Sequence, residues 1–203
     1  MKVEWYFDYV SPYSYLQWAH QLAELEGLDI ELRPVLFAGL LKHWGQKGPA
    51  EVSAKRRFTY RHVVWLADRF DVPFRLPSAH PFNPLPLLRA GIALGNSREV
   101  VDRLFGFVWR AGNIPTEEAP WRRLMEELDL SDQALSEPSV KQQLLDNGER
   151  AIGSGVFGVP SLVADGEVFW GVDGFEFFQD YLADPGLFAG AGMRAADSVP
   201  SGV

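Results

Sequence analysis

The sequence predicts an α/β chain in which a βαβ unit at the start and a ββα unit at the end share one sheet, with a large all-helical insertion between them. Three observations carry this. Residues 2–8, KVEWYFD, alternate Val3, Trp5 and Phe7 with Glu4, Tyr6 and Asp8, the period of two of a half-buried strand. Strand signals recur at 29–35, vanish from about residue 38 to about 155, and return at 159–164 and 168–170. Those last two runs are joined by Asp165-Gly166, a dipeptide suited to a tight hairpin turn.

Each element follows from local pattern. Ser11 then Pro12 is a helix-start signal; Leu16, Ala19, Leu22 and Ala23 recur at helical spacing, and Gly27 stops the helix. Strand, helix and strand in this order suit a parallel pair with a right-handed crossover. Helical periodicity then covers 51–71, 85–94, 98–111, 117–130 and 137–153, and a last helix is expected at about 174–183. This order is a thioredoxin-like plan: residues 1–37 and 155–184 form the sheet domain, 38–154 the helical insertion, and 185–203 a flexible C-terminal tail. The tail is rich in Gly, Ala, Pro and Ser, and little structure of its own is expected there.

Composition narrows the function classes. With 203 residues and 47% hydrophobic content, the chain has ample material for a core. Its net charge of −8 argues against attraction to phosphate backbones or anionic lipid. No apolar run approaches the roughly 20 residues of a membrane span, and MKVEWYFDYV lacks a signal-peptide layout, so a cytoplasmic protein is expected. There is no cysteine, so any thiol chemistry must come from a bound ligand. His20, His43, His62 and His80 are scattered, and no metal site is expected.

Ser11-Pro12-Tyr13-Ser14 lies where the first strand passes into the first helix. There the Ser11 hydroxyl sits beside free backbone N–H groups and a dipole that favours an anion. The same residues also read as a simple N-cap with proline at the first helical position. Gly158-Val159-Pro160 precedes the hairpin. A cis bond there would turn the Val159 backbone outward as an edge on which a peptide-like ligand could pair, whereas a trans proline would only start an edge strand. Asp173-Gly174-Phe175-Glu176 matches a capping box. Most of the seven tryptophans are expected in the core, while Tyr13, Phe37, Trp44 and Trp170 flank the presumed cleft.

The segments FDYVSPYSYLQW, HPFNPLPLLRA and GVFGVPSLVADGEVFWGVDGFEFF together resemble the kappa-class glutathione transferase and 2-hydroxychromene-2-carboxylate isomerase family, over about residues 2–183. The family is thioredoxin-like and related to disulfide oxidoreductases. The resemblance implies glutathione as cofactor, a small aromatic substrate and a homodimer. It places Ser11 as the hydroxyl that stabilises the glutathione thiolate, and Val159 and Pro160 as the backbone that pairs with the cysteinyl part. Val172 and Asp173 would receive the γ-glutamyl group, and Lys55 and Gln46 the remaining cofactor contacts. Tyr13, Asn83 and Trp170 would meet substrate. Gln46 stands where many relatives have Asn, and Gly174 where many have Arg. Asn83 before Pro84 is also an ordinary turn signal.

What the resemblance implies agrees with elementary thiol chemistry. A free thiol with a pKa near 8.5 is only a few per cent ionised at neutral pH, and about 2.7 kcal/mol of preferential thiolate binding would ionise it. A serine also cannot form the mixed disulfide that a cysteine could. The expected activity is conversion of 2-hydroxychromene-2-carboxylate to trans-o-hydroxybenzylidenepyruvate in aromatic catabolism. Two alternatives stand beside it: a kappa-class transferase that conjugates electrophiles or reduces peroxides, and a non-catalytic thioredoxin-like binding module.

Overall fold

β1 (Val3–Phe7) is an inner strand of a four-stranded sheet in the computed structural model, which describes residues 2–25 and 27–202. β1 runs parallel to β2 (Ile30–Pro34), with Trp5 opposite Leu32. On its other side it is antiparallel to β3 (Ser161–Ala164), with Trp5 opposite Leu162. β3 pairs antiparallel with β4 (Glu167–Trp170), giving the order β2-β1-β3-β4. Asp165 and Gly166 turn the hairpin at φ 50° and 90°, the left-handed region that an Asp-Gly pair tolerates.

The half-buried reading of β1 is corrected, because all five of its residues are buried. Trp5 and Phe7 stack at 4.3 Å and join Tyr9, Tyr15, Trp18 and Phe105 in the main core. Tyr6 packs on the opposite face with Val35, Leu40, Ala151, Val156 and Val163. Glu4 is buried on Tyr6's face and accepts hydrogen bonds from Arg33 Nε at 2.6 Å, Arg150 Nε at 2.7 Å and the Tyr6 hydroxyl at 3.1 Å. Burial pushes its carboxyl up, but these donors outweigh that and hold it below the usual range. An alternating strand is thus buried on both faces because its polar face has been supplied with cations.

The first helix is not uniform. α1 (Pro12–Leu16) widens into a π-helical turn at Gln17–Gln21 and tightens to a 3₁₀ turn at Leu22–Leu25. The insertion contains α3 (Ser53–Arg69), α4 (Leu85–Ala93), α5 (Arg98–Phe105), α6 (Glu118–Glu127) and α8 (Pro138–Gly153), close to the expected segments. Two short helices are additional: α2 (Phe37–His43) and α7 (Asp132–Ser136). α9 (Phe175–Ala183) covers the sheet through Phe178 and Tyr181, whose rings pack on Phe169 of β4. Beyond it the expected lack of structure is corrected: a 3₁₀ turn at Leu187–Ala189 precedes α10 (Ala191–Asp197). Phe188 is the reason, since its ring lies 5.4 Å from both Phe177 and Tyr181. Among the described residues no helix is long and apolar enough to cross a membrane.

Candidate active site

A cavity of about 980 Å³ opens beside the start of α1. It is walled by Tyr13 from α1 and Lys55 from α3, by Val159 and Pro160 ahead of β3, and by Trp170, Val172 and Asp173 at and after the end of β4. The other three residues singled out from sequence do not line it. Ser11 is buried two residues before Tyr13. Gln46 is exposed, its N–H donating to the Leu41 carbonyl. Asn83 is exposed and accepts from the Leu85 N–H at 3.1 Å, an Asx-type start to α4. Phe37 packs in the smaller core cluster and Trp44 donates to the Val156 carbonyl, so neither flanks the cavity. Trp5, Trp18 and Trp109 are buried and Trp121 packs half-buried against the core, whereas Trp44, Trp65 and Trp170 are exposed.

The β1–α1 junction is held from several sides. Ser11 is the N-cap of α1, with Oγ accepting the Ser14 N–H at 3.2 Å, and its own O–H meets no acceptor among the described residues. Three residues on, the buried Ser14 Oγ has no hydrogen-bond partner among the described residues. The Asp8 carboxylate accepts the Val10 N–H at 3.0 Å and the Phe37 N–H at 2.9 Å, tying the junction to the start of α2. Complete burial pushes this carboxyl up to about 7 against the pull of those two N–H donors. The Tyr9 carbonyl accepts from Trp109 Nε1 at 2.9 Å, and the Val10 carbonyl from His80 Nε2 at 2.8 Å.

On the sheet side, the Val159–Pro160 bond is cis. The Pro160 carbonyl accepts the Gly171 N–H, while the Val159 peptide N–H and C=O have no hydrogen-bond partner among the described residues. Two buried glutamines secure the segment after β4: Gln17 Nε2 donates to the Gly171 carbonyl at 3.0 Å and Gln21 Nε2 to the Val172 carbonyl at 2.9 Å. Sequence reading passed over this pair, although two glutamines four apart on a helix with an apolar face are a signal of such a tie. Asp173 is exposed, and the N-cap of α9 is Gly174, which offers no side-chain cap, so the capping-box reading is not realised. A Cβ on Gly174 would lie 2.4 Å from the Trp170 carbonyl oxygen, which explains why a larger residue is absent there.

The α3 wall was also missed. Phe58, His62, Trp65 and Arg69 follow at spacings of 4, 3 and 4, one face of a helix. The His62 ring stacks on Phe58 at 5.4 Å and on Trp65 at 5.8 Å, and the Arg69 guanidinium lies over Trp65. His62 Nδ1 is 2.9 Å from the Tyr13 hydroxyl oxygen. Burial raises the Tyr13 phenol, and the Asp173 carboxylate raises it further, against a lowering contact from Thr59. Lys55 and Arg69 therefore bring positive charge to one wall, while Glu24, Asp173 and Glu176 bring negative charge to the other.

The chain is matched over residues 2–183 by the family model for the DSBA-like thioredoxin domain. It is 28% identical over 193 residues to a 2-hydroxychromene-2-carboxylate isomerase of Sphingobium xenophagum, covering 90% of this chain and 98% of that one. It is 24% identical over 216 residues to glutathione S-transferase kappa 2 of Caenorhabditis elegans, covering 90% and 92%. A solved structure of a 2-hydroxychromene-2-carboxylate isomerase superposes with a TM-score of 0.77 at 22% identity, over 98% of this chain and all of that one. That structure shares the fold.

Proposed function

The chain belongs to the DSBA-like thioredoxin domain family, and from that premise we propose that it is a glutathione-dependent isomerase converting 2-hydroxychromene-2-carboxylate to trans-o-hydroxybenzylidenepyruvate. One observation carries the reading: a single cavity joins the unpaired Val159 peptide edge to walls of opposite charge. A γ-glutamyl tripeptide fits such a donor set. Its peptide can pair with Val159, its ammonium can meet Asp173, and its glycyl carboxylate can meet Lys55. Glutathione, when bound, supplies a thiolate nucleophile for rotation about a conjugated double bond.

The chain's own groups orient and ionise that thiol. The Ser11 O–H is a free donor at the positive end of α1, held by Asp8 and His80 through Val10. Gln17 and Gln21 hold the Gly171 and Val172 carbonyls, and so the segment that carries Asp173. Trp170 and Tyr13 offer aromatic faces to a bicyclic acid.

The experiment is an ultraviolet titration of glutathione with stoichiometric protein across pH, wild type against Ser11→Ala, paired with product analysis on 2-hydroxychromene-2-carboxylate. Glutathione bound as thiolate well below its free pKa, with the shift lost in Ser11→Ala and trans product formed only with glutathione, is expected. An isomerisation left at its background rate by saturating glutathione overturns the reading. The kappa-named relative supports a second one, conjugation of electrophiles, which a thioether product retained on an aromatic acceptor would favour.

A further inference from the structure

We propose that His62, whose Nδ1 lies 2.9 Å from the Tyr13 hydroxyl oxygen, is the proton-transfer group that opens the cyclic hemiketal of the chromene substrate, a step independent of glutathione. The inference rests on the isomerase reading and adds a residue and a step to it.

The chemistry calls for such a group. In a 2-hydroxychromene-2-carboxylate, the hydroxyl, the ring oxygen and the carboxylate share C2, and the ring must open before the side chain becomes a conjugated ketone. Opening breaks the bond from C2 to the ring oxygen, whose electron pair stays on that oxygen. The hydroxyl O–H pair becomes the second bond of the new C2 carbonyl. The hydroxyl proton passes to a base and returns to the ring oxygen, so atoms and charge balance with one proton carried by one group. An imidazole is suited to both halves of that transfer near neutral pH.

Among the described residues two imidazoles line the cavity, and their settings differ. His20 stacks face to face on Phe70 at 4.2 Å and makes no hydrogen bond that sets its tautomer. His62 is clamped between Phe58 and Trp65, and its Nδ1 is taken by Tyr13 while Nε2 has no hydrogen-bond partner among the described residues. With Nδ1–H donating to the Tyr13 oxygen, Nε2 carries the lone pair that accepts the proton, and Tyr13 acts as a positioning residue. Burial and Asp173 favour a neutral Tyr13 phenol, which keeps it an orienting partner. The charges around the pair are Lys55 and Arg69 on its own helix and Glu24, Asp173 and Glu176 across the cavity. Arg69, two turns along the same face and fixed over Trp65, is placed to attract the substrate carboxylate.

The test follows ring opening of the purified hemiketal by ultraviolet absorbance with no glutathione present, using wild type, His62→Gln and Tyr13→Phe. It is paired with the pH profile of kcat/KM with glutathione and the thiolate absorbance of bound glutathione. Expected are wild-type acceleration of opening without glutathione and a loss of about 100-fold in His62→Gln. A smaller loss in Tyr13→Phe, a change in the shape of the pH profile of kcat/KM in His62→Gln, and unchanged thiolate absorbance are also expected. Opening by His62→Gln at the wild-type rate overturns the proposal, as does wild-type protein that leaves opening without glutathione at its background rate. Wild type that opens the ring yet fails to isomerise with saturating glutathione overturns the isomerase reading and leaves the proton-transfer assignment standing.

Discussion

The imidazole of His80 and the backbone of Val10 meet across the boundary between the helical insertion and the sheet, with Nε2 2.8 Å from the carbonyl oxygen. Because Nε2 faces a carbonyl it carries the proton, which leaves Nδ1, at 2.8 Å, to share the Tyr60 O–H with the His80 carbonyl, at 2.9 Å. The ring is thus a neutral connector between α3 and the residue that precedes Ser11. Asp8 grips the same residue through the Val10 N–H, so the junction is fixed from both sides by titratable groups.

His80→Ala is expected to cost about 1–3 kcal/mol, because the Val10 carbonyl loses its side-chain donor, while the Tyr60 hydroxyl keeps the backbone carbonyl of residue 80 at 2.9 Å. His80→Gln, which keeps an N–H donor, is expected to cost less. Burial lowers the His80 pKa below its ordinary 6.5 despite the Val10 bond. Its contribution is therefore present above about pH 6.5 and is lost as pH falls toward the lower folded value. Thermal unfolding at pH 5 and pH 7.5 checks this: the wild type should lose more stability on acidification than His80→Gln.

Asp8 works in the opposite sense. Its carboxyl is raised from 3.8 to about 7, so between those values the folded protein holds a proton that the unfolded chain has released. Stability falls as pH rises through that window, by on the order of 4 kcal/mol. Asp8→Asn removes this slope but turns one of the two accepting oxygens into an NH2 donor facing a backbone N–H, at a cost of about 1–3 kcal/mol. Denaturant titrations at pH 4.5, 6 and 8 should show the variant gaining on wild type as pH increases; a constant difference would refute a raised Asp8 pKa.

Glu4→Gln should destabilise the fold by about 3 kcal/mol at pH 7, since it takes from the largely buried Arg33 one of its two carboxylate partners, the buried one, and leaves only Glu31. Glu4 is held below its ordinary value, so the contribution is present above pH 4.5 and lost as pH falls below it. Chemical denaturation of wild type and variant should therefore converge toward pH 3.

Gly174→Ala places a methyl group 2.4 Å from the Trp170 carbonyl oxygen, a backbone atom that cannot rotate away. A loss of about 1–3 kcal/mol is expected. Gly158→Ala meets only the Trp170 indole at 2.5 Å, and that ring is half exposed. Its cost in stability should be smaller and its effect on cavity ligands larger. Melting temperature and glutathione affinity measured on both variants separate the two outcomes.

Much of the architecture was legible because its signals are local. The Ser11 cap, the Asp165-Gly166 turn, the helical periods and the resumption of strands near residue 160 each depend on a few neighbouring residues. The site was partly legible: Val159, Pro160, Val172 and Asp173 lie within one stretch of chain that reads as a unit. His62, Gln17, Gln21 and His80 were not found, because their roles depend on partners far along the chain. Tyr13 and His62 are separated by 49 positions, and Val10 and His80 by 70. The aromatic face at 58, 62 and 65 was present in the sequence, but periodicity does not say whether such a face meets a core, solvent or a cavity.

By itself, then, the sequence determined the α/β plan with its helical insertion, the absence of any intrinsic thiol, and the positions where a helix start and a proline edge could receive one. The tertiary structure decided which residues meet. It buried both faces of β1 by bringing Arg33 and Arg150 to Glu4, and it folded the presumed tail onto Phe177 and Tyr181 through Phe188. It also closed one cavity from four segments while leaving Gln46 and Asn83 outside it. The physical reason is range: backbone preferences act over a few residues, whereas burial, charge pairing and hydrogen-bond satisfaction are settled only when distant segments exclude water together.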